Sequence, residues 1–491
     1  MKGIISLPST LGLLTAVIIA SAQPSPPDLM WSKTYNTDTE FGSDSPFDFK
    51  PLHDGSYALT GKACTRLHVD LWLSRADSGG NVIWENFIGE EDVGGDDIQF
   101  GKSICETDDN VMGVVGGING RDDDPDIFFV LADTAGNVLL RRSYGSSNRY
   151  EEGVDICQTE GGFAILGQEG GYEPGDGSDY FLIKINEQGD SLWSRTYGQE
   201  GKFYTSAQIL PLSDGGFLLF GGRLEDINNP YSPSSICIIR TDSTGEVVWE
   251  RTYDHEEPVG ILQTAEDEFV ILNDAPVLMD EGWVEGMQLF WIDGEGNEVY
   301  TSDPILTPNR YPLTRDFVQA TDGGFIVCGG NFRIIRTDAD GNELYQEVYG
   351  DTAEGQGSSA YVICTTSDSG FAMGGFGPGG GVLLMRLGPE VWPNTVREPD
   401  AAPQVFMLYP AYPNPFNAHI TIPYSVPFTT PVSLEVYDLS GRFVTAIANE
   451  PVSGRNYQRA VWDAQQQPAG VYLIRMNAPE FNGMQKVVLI K

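Results

Sequence analysis

Trp193-Ser-Arg-Thr-Tyr197-Gly198, then Asp214-Gly215-Gly216-Phe217-Leu-Leu-Phe-Gly221-Gly222, is the passage from which the fold can be read. The first segment is a short strand with an aromatic at each end. The second is a turn, an aromatic and an apolar run closed by glycines. The turn and aromatic recur at Asp54-Gly55-Ser56-Tyr57, Glu160-Gly161-Gly162-Phe163, Asp322-Gly323-Gly324-Phe325 and Asp368-Ser369-Gly370-Phe371, with degenerate copies at Asp109-Asn110-Val111 and Asp267-Glu268-Phe269. The marker residues fall at 57, 111, 163, 217, 269, 325 and 371, in steps of 54, 52, 54, 52, 56 and 46. A period of this length, with no sustained helical pattern, is the mark of a repeat architecture built from strands.

Each unit reads as four short strands. In the third unit these are Val154 to Thr159, Phe163 to Gly167, Asp179 to Asn186 and Ser191 to Tyr197. Between the third and fourth strands lies a recurring turn, as in Asp77-Ser-Gly-Gly80-Asn81, Asp133-Thr-Ala-Gly136-Asn137, Asp242-Ser-Thr-Gly245-Glu246 and Asp338-Ala-Asp-Gly341-Asn342. Its glycine supplies the positive φ that such a hairpin requires. Four strands in about 50 residues make one propeller blade. The seventh unit lacks a fourth strand before Gly388-Pro389, and the missing piece stands at the chain start as Trp31-Ser-Lys-Thr-Tyr35. The expectation is a seven-bladed β-propeller over residues 23–388 whose N-terminal strand completes the last blade. The glycines of the second strand and the aromatic of the fourth loosely resemble kelch-type repeats, a likeness that bears on architecture and not on function.

Before the repeats, Met1-Lys2 and an apolar run around Leu11 to Ala20 end in Ala20-Ser21-Ala22. This pattern predicts a secretory signal at 1–22, too short in its apolar core to span a membrane comfortably. No later run is apolar for long enough to cross a bilayer, so no transmembrane span is expected after cleavage. After the repeats, Pro393, Pro399 and Pro403 mark a linker at 389–405, and an all-β segment of alternating strands occupies 406–491. Formal net charge is −41, all of it upstream of Thr395. A field of that sign argues against nucleic acid and anionic membranes as partners.

In the C-terminal segment, Pro413-Asn414-Pro415-Phe416, Tyr437-Asp438-Leu-Ser-Gly441-Arg442, Trp462-Asp463, Gly470-Val-Tyr472 and the terminal Lys491 stand in order. These motifs resemble the type A sorting domain of the bacterial type IX secretion system. The resemblance implies an immunoglobulin-like sandwich that takes a cargo with a signal peptide across the outer membrane. The cargo then ends secreted or held on surface lipopolysaccharide, usually without the domain. The immunoglobulin-like domain of flagellar-hook-capping proteins shares the same turns and is the alternative, which would make the chain a structural envelope protein.

Catalytic signatures are lacking. The four histidines, His53, His68, His255 and His419, have no metal-ligand spacing, and no zinc, nucleophile-elbow or phosphate-loop motif stands in a fitting context. Cys105, Cys157 and Cys364 occupy equivalent repeat positions and read as small core residues rather than a disulfide framework; a Cys64–Cys105 bridge is the one pairing kept open. Carboxylates are abundant. Asp122, Asp124 and Asp126, between second and third strands of the second unit, are candidate calcium ligands, against the plainer reading of a solvated acidic loop. A second acidic loop holds Glu90, Glu91, Asp92, Asp96 and Asp97. The leading expectation is a secreted or cell-surface binding protein for a glycan, polymer or protein ligand, handled by the type IX machinery. The rival is an extracellular polysaccharide hydrolase or lyase using carboxylates of the propeller face.

Overall fold

The computed structural model describes residues 24–490 apart from 36–44, 65–68, 90–97, 120–124, 147–148, 171–176, 226–233, 256, 266–267, 280–281, 308–313, 351–357, 378–380 and 391–406. In the C-terminal domain 409–410, 412–415, 417–418, 427–429, 453–455, 465 and 480 are also outside the description. The segment read as a signal and the terminal Lys491 lie outside it as well.

Seven antiparallel blades follow one another in the chain. Blade one is Ser45–Pro51, Tyr57–Cys64, Val69–Ala76 and Val82–Ile88; blade two is Ile98–Glu106, Val111–Asn119, Pro125–Asp133 and Val138–Tyr144. Blade three is Tyr150–Thr159, Gly162–Gly170, Ser178–Asn186 and Ser191–Tyr197; blade four is Phe203–Pro211, Phe217–Leu224, Ser234–Thr241 and Val247–Tyr253. Blade five is Pro258–Ala265, Glu268–Asp274, Gly286–Asp293 and Glu298–Thr301; blade six is Thr314–Gln319, Phe325–Gly329, Arg333–Thr337 and Glu343–Val348. Blade seven takes Ser359–Thr365, Phe371–Phe376 and Val382–Leu387 from the end of the repeats and Leu29–Tyr35 from the start. The first strand of each blade packs beside the first strands of its two neighbours, and those of blades seven and one meet to close the circle.

The closing strand pairs antiparallel with Val382–Leu387, with Trp31 opposite Arg386 and Tyr35 opposite Val382. Leu387 in turn lies opposite Phe371, so Trp31 and the last marker aromatic share one sheet. The break in blade seven falls where the other blades carry their turn between third and fourth strands. Both ends are held: Gly388 N–H donates to the Asp28 carbonyl at 2.9 Å, and the Tyr349 hydroxyl of blade six donates to the Pro27 carbonyl at 2.6 Å. Arg336 of blade six, fully buried, meets Glu390 at 2.8 Å and Asp322 at 2.6 Å, and the Tyr345 hydroxyl donates to Glu390 at 2.7 Å.

The same grip recurs along the outer wall and explains the sequence motif. The Tyr hydroxyl at the end of a fourth strand donates to the turn-glycine carbonyl of the next blade: Tyr35 to Gly80 at 2.8 Å, Tyr144 to Gly189 at 2.7 Å, Tyr197 to Gly245 at 2.7 Å and Tyr253 to Gly296 at 2.8 Å. Between blades one and two Asn86 donates to the Gly136 carbonyl instead. Gly80 shows why the residue is glycine: its φ is +73°, and a Cβ there would stand 2.5 Å from the Trp31 ring. Each blade's core is apolar, and the large clusters span neighbouring blades, as Val115, Phe129, Ile156 and Phe163 do between two and three.

The C-terminal domain has two sheets, one of Met407–Leu408, His419–Val426 and Asn456–Asp463, the other of Phe443–Val452, Thr430–Asp438, Gly470–Ala478 and Phe481–Leu489. They enclose a core that includes Phe416, Ile422, Leu434, Trp462, Tyr472 and Ile474. No disulfide joins any of the six cysteines, so Cys64 and Cys105 form no bridge.

Two outcomes follow from the split blade. Deleting residues 24–35 should strip the seventh blade of its outer strand and lower the melting temperature steeply; an unchanged thermal melt would contradict the closure. Glu390→Ala should leave the buried Arg336 charge with one partner fewer and cost about 3 kcal/mol in denaturant unfolding.

Candidate functional site

The first strands line the axis, and each carries a β-bulge at the same place. Register shifts fall between Pro46 and Asp48, Gly101 and Ser103, Gly153 and Asp155, Ser206 and Gln208, Pro258 and Gly260, Thr314 and Asp316, and Ala360 and Val362. A bulge turns the strand and re-aims the residue that follows it. Here that residue reaches sideways to the next blade. Asp48 accepts from Ile104 N–H at 3.0 Å, Asp155 from Ile209 N–H at 2.9 Å, Gln208 from Ile261 N–H at 3.0 Å and Asp316 from Ile363 N–H at 2.9 Å. Ser103 donates to Asp155 at 2.7 Å. These side chains stitch the inner strands, which expose no lateral partner of their own along the bore. Gly260 and Val362 have no side-chain acceptor to offer.

Lys50, two residues past the first bulge, lies 3.5 Å from Asp48 and within electrostatic reach of Asp155 and Asp316 on blades three and six. Only an axial position brings one amine to carboxylates on three such blades. Its side chain is 46% exposed, so the bore around it is open to solvent even though protein surrounds it. The ammonium is held charged, first by Asp48. Burial is the largest influence on the three carboxylates and raises each of them, Asp316 to about 6, while Lys50 opposes the shift.

The two ends of the propeller differ. At one end, the turns between first and second strands and between third and fourth strands are short and internally satisfied. Asp214 pairs with Arg240 at 2.9 Å and Asp322 with Arg336 at 2.6 Å, and the Asp54–Arg75 and Asp368–Arg386 pairs repeat the arrangement. Asp77, Asp133, Asp242 and Asp293 each accept from two backbone N–H groups of their own turn; side-chain hydrogen bonds from Asn81, Asn137, Thr244 and Asn297, and then those backbone bonds, hold their carboxyls below the usual range. Asp338 belongs to the same turn set. These carboxylates are occupied with holding the hairpins.

The other end receives the connections between second and third strands and between blades, which are longer and unequal. At its margin, Glu151, Glu169 and Asp179 stand in register across blade three. Glu169 pairs with Arg149 and accepts from the Thr196 hydroxyl at 2.7 Å. Glu151, 2% exposed, accepts from Ser146 N–H at 3.1 Å and from its hydroxyl at 2.7 Å. Burial raises Glu151 and Asp179, and the neighbouring carboxylates Glu169 and Asp126 push Glu151 further. Nearer the axis, Lys102 meets Glu152 at 2.6 Å and lies over the Phe100 ring, which packs 6.1 Å from Phe47.

Of the candidate calcium ligands, Asp122 and Asp124 lie outside the described residues, as do Glu90, Glu91, Asp92, Asp96 and Asp97. Asp126 is the second residue of the third strand of blade two, its carboxylate against Gly145. Among the described residues no group of three His, Cys, Asp or Glu side chains is placed to hold a metal ion. His53 is paired with Glu106 at 3.1 Å, and His255 stacks on Phe290 beside Glu298. The axial stitches were not anticipated from the sequence. Their trace is a bulge residue before one buried apolar residue in every unit, as in Asp48-Phe49, Asp155-Ile156 and Asp316-Phe317.

The motif residues of the C-terminal domain are turn and core. Phe416 N–H donates to the Val488 carbonyl, tying the domain's entry to its last strand, and its ring packs 5.5 Å from Trp462, which packs 5.1 Å from Tyr472. The Tyr472 hydroxyl donates to the Pro468 carbonyl at 2.7 Å. Asp438 accepts from Ser440 and Arg442 N–H groups and pairs with the Arg442 guanidinium at 2.9 Å, with Gly441 at φ +77°. Tyr437 packs edge-on to Phe443, and Gly470 opens the strand opposite Leu489. Pro413, Asn414 and Pro415 lie outside the described residues.

Seven blades and a two-sheet C-terminal domain make this an all-β protein of two parts. Residues 410–491 match the family model of the secretion system C-terminal sorting domain. The C-terminal domain is thus a type IX sorting domain, and the protein is exported across the outer membrane to the cell surface or the medium. No curated protein matches the chain. Among solved structures it is similar to the RRP9 WD40 repeats, at 8% identity and TM-score 0.47 over 74% of this chain and 100% of that one. It is also similar to BBS1N in complex with ARL6DN, at 10% identity and TM-score 0.44 over 76% and 99%. An α-L-arabinofuranosidase, Arb93A from Fusarium graminearum, matches at 10% identity and TM-score 0.39 over 58% and 91%. No helix among the described residues is long and apolar enough to cross a membrane.

Burial raises the carboxyls of Asp48, Asp155, Asp274 and Asp316, which bind protons more readily folded than unfolded; Asp274 and Asp316, raised to about 6, set the window, so stability should rise as pH falls through about 6. The lowered turn carboxylates act oppositely and lose their contribution below about pH 4. The melting temperature should therefore peak between about pH 4 and 6. Lys50→Met, which leaves the axial carboxylates without their cation, should cost stability at pH 8 and much less at pH 5; an equal loss at both values would contradict the axial arrangement.

Proposed function

We propose that the propeller is a binding module for a glycan, polymer or protein ligand, delivered to the cell exterior by its sorting domain, with the ligand taken at the end that bears the long connections. The observation that carries this reading is the asymmetry of the two ends. At the turn end the carboxylates and arginines are spent on the repeat itself. At the other end, where Glu151 and Glu152 are buried at the start of a first strand, the connections differ in length from blade to blade, and recognition usually resides in loops held by a rigid scaffold. In this reading residues 1–22 are a removed signal, 23–388 the propeller, 389–405 a linker and 406–491 an immunoglobulin-like sorting unit. Pro413 to Phe416, the Tyr437 to Arg442 turn, Trp462, Gly470, Tyr472 and Lys491 form the face or frame that the secretion machinery reads. The candidate calcium ligands in this reading are Asp122, Asp124 and Asp126.

Two measurements test this. A chain truncated before Met407 should fold and remain in the periplasm, and its appearance outside the cell would contradict the sorting role. The mature protein on a glycan and polysaccharide array, with and without calcium, should bind one polymer class. Replacing 226–233 or 171–176 with short Gly-Ser links should weaken that binding, while Asp293→Ala at the turn end should not. The reverse pattern would place recognition elsewhere.

A further inference from the structure

Each of the seven bulges leaves one residue of an inner strand without a partner, at the same height in every blade. In blades six, seven, one and two these residues are Arg315, Tyr361, Phe47 and Lys102. In blades three, four and five they are Val154, Ala207 and Val259. An unpaired bulge residue on a strand that lines the axis turns toward the bore, and all seven are at least partly exposed. Neighbours along this ring touch across the seams. The Arg315 guanidinium of blade six lies 5.3 Å over the Tyr361 ring of blade seven. Phe47 of blade one packs against Phe100 of blade two, and Lys102 lies 6.0 Å over that same ring. The bulges fall near the starts of the first strands, so the ring belongs to the end with the long connections.

The ring has two unlike halves. One carries two cations and two aromatic side chains; the other carries only small aliphatic ones, which leave the space in front of the first half open. Exposure sorts the charges as well. Asp48, Asp155 and Asp316 are turned into the wall, where each accepts a backbone N–H of the next blade. The Asp48 side chain is 8% exposed and Glu152, the partner of Lys102, 12%, whereas Lys102 keeps 30%, Lys50 46%, and Arg315 is exposed. Among the described residues Arg315 is in no ion pair; Asp274, a carboxylate within its electrostatic reach, already accepts from the Thr314 hydroxyl at 2.5 Å. In a chain of net charge −41 the bore mouth thus shows cations. On the loop-end binding proposed above, we infer that this mouth takes a uronate residue of an acidic polysaccharide, with its carboxylate on Arg315 and its ring against Tyr361 and Phe47. A guanidinium matches a carboxylate with two parallel N–H donors, and Lys102 and Lys50 add to the field. An aromatic ring offers a flat apolar surface to the C–H face of a pyranose. An acidic peptide would satisfy the cations and leave the rings unused.

The mature full-length chain is titrated in EDTA with polygalacturonate, alginate, methyl-esterified polygalacturonate, dextran and polyglutamate. Binding to a uronate polymer that weakens as salt rises is expected, with none to the ester or to dextran. Arg315→Ala and Tyr361→Ala should each weaken that binding about tenfold, and Arg315→Lys should recover part of the first loss. Ala207→Trp, on the opposite half, should fill the open space and abolish binding with its thermal melt retained; Asp293→Ala at the turn end should leave binding unchanged. Equal binding of the ester, polyglutamate bound as tightly as the uronates, or binding indifferent to both Arg315→Ala and Tyr361→Ala would overturn the assignment. So would the absence of binding to either uronate polymer. In that case another polymer bound in dependence on 226–233 or 171–176 would leave the binding module standing, and no bound polymer of any class would remove both.

Discussion

A ring of sheets has no free edge only if its two ends meet, and in this chain they meet through one antiparallel pairing, Leu29–Tyr35 on Val382–Leu387. Everything else in the propeller assumes that pairing. A wedge of four strands buries its faces only against neighbours on both sides, so an open ring would expose the apolar faces of blades one and seven together. The chain places its own break inside a blade, not between blades. Blade six then captures both loose ends, through Tyr349 on Pro27 and through Arg336 and Tyr345 on Glu390.

The acidic composition makes sense within that ring. Turn aspartates bind their own backbone or a third-strand arginine, and axial aspartates bind the backbone of the next blade. Both uses are structural, though they respond to acid in opposite senses: exposed turns favour the ionised form, and the bore penalises it. Lys50 makes the bore tolerable by standing among carboxylates of three blades. The end proposed for recognition is the one with unequal connections, opposite the turns whose aspartates are paired within the repeat.

Much of this was legible in the residues. Six of the seven markers are aromatics buried near the start of a second strand, where identity is constrained, and Val111 takes that place in blade two. The stray Trp31-Ser-Lys-Thr-Tyr35 matched the fourth strands because it makes their contacts, down to the hydroxyl on Gly80. The sorting motifs were legible because turn and core residues such as Gly441 and Trp462 hold fixed geometry. The axial stitches were not, since Asp48, Ser103, Gln208, Gly260 and Val362 share a backbone position and no common chemistry. The extra hairpin of blade five, Val277–Met279 with Gly282–Val284, was not legible either, because it lengthens the unit without altering its marker. The calcium candidates stood on charge density alone, and charge density says nothing of where carboxylates converge.

The account stands or falls on the closing strand, and a directed cross-link reads it most directly. Ser32 lies opposite Met385 across the joint. With both replaced by cysteine in the full chain, oxidation should link residues 32 and 385 in high yield, found as a joined peptide by mass spectrometry. The linked protein should also melt at a higher temperature than its reduced form. Failure of the two thiols to join under conditions that oxidise other adjacent pairs would mean that the N-terminal strand is not in the seventh blade.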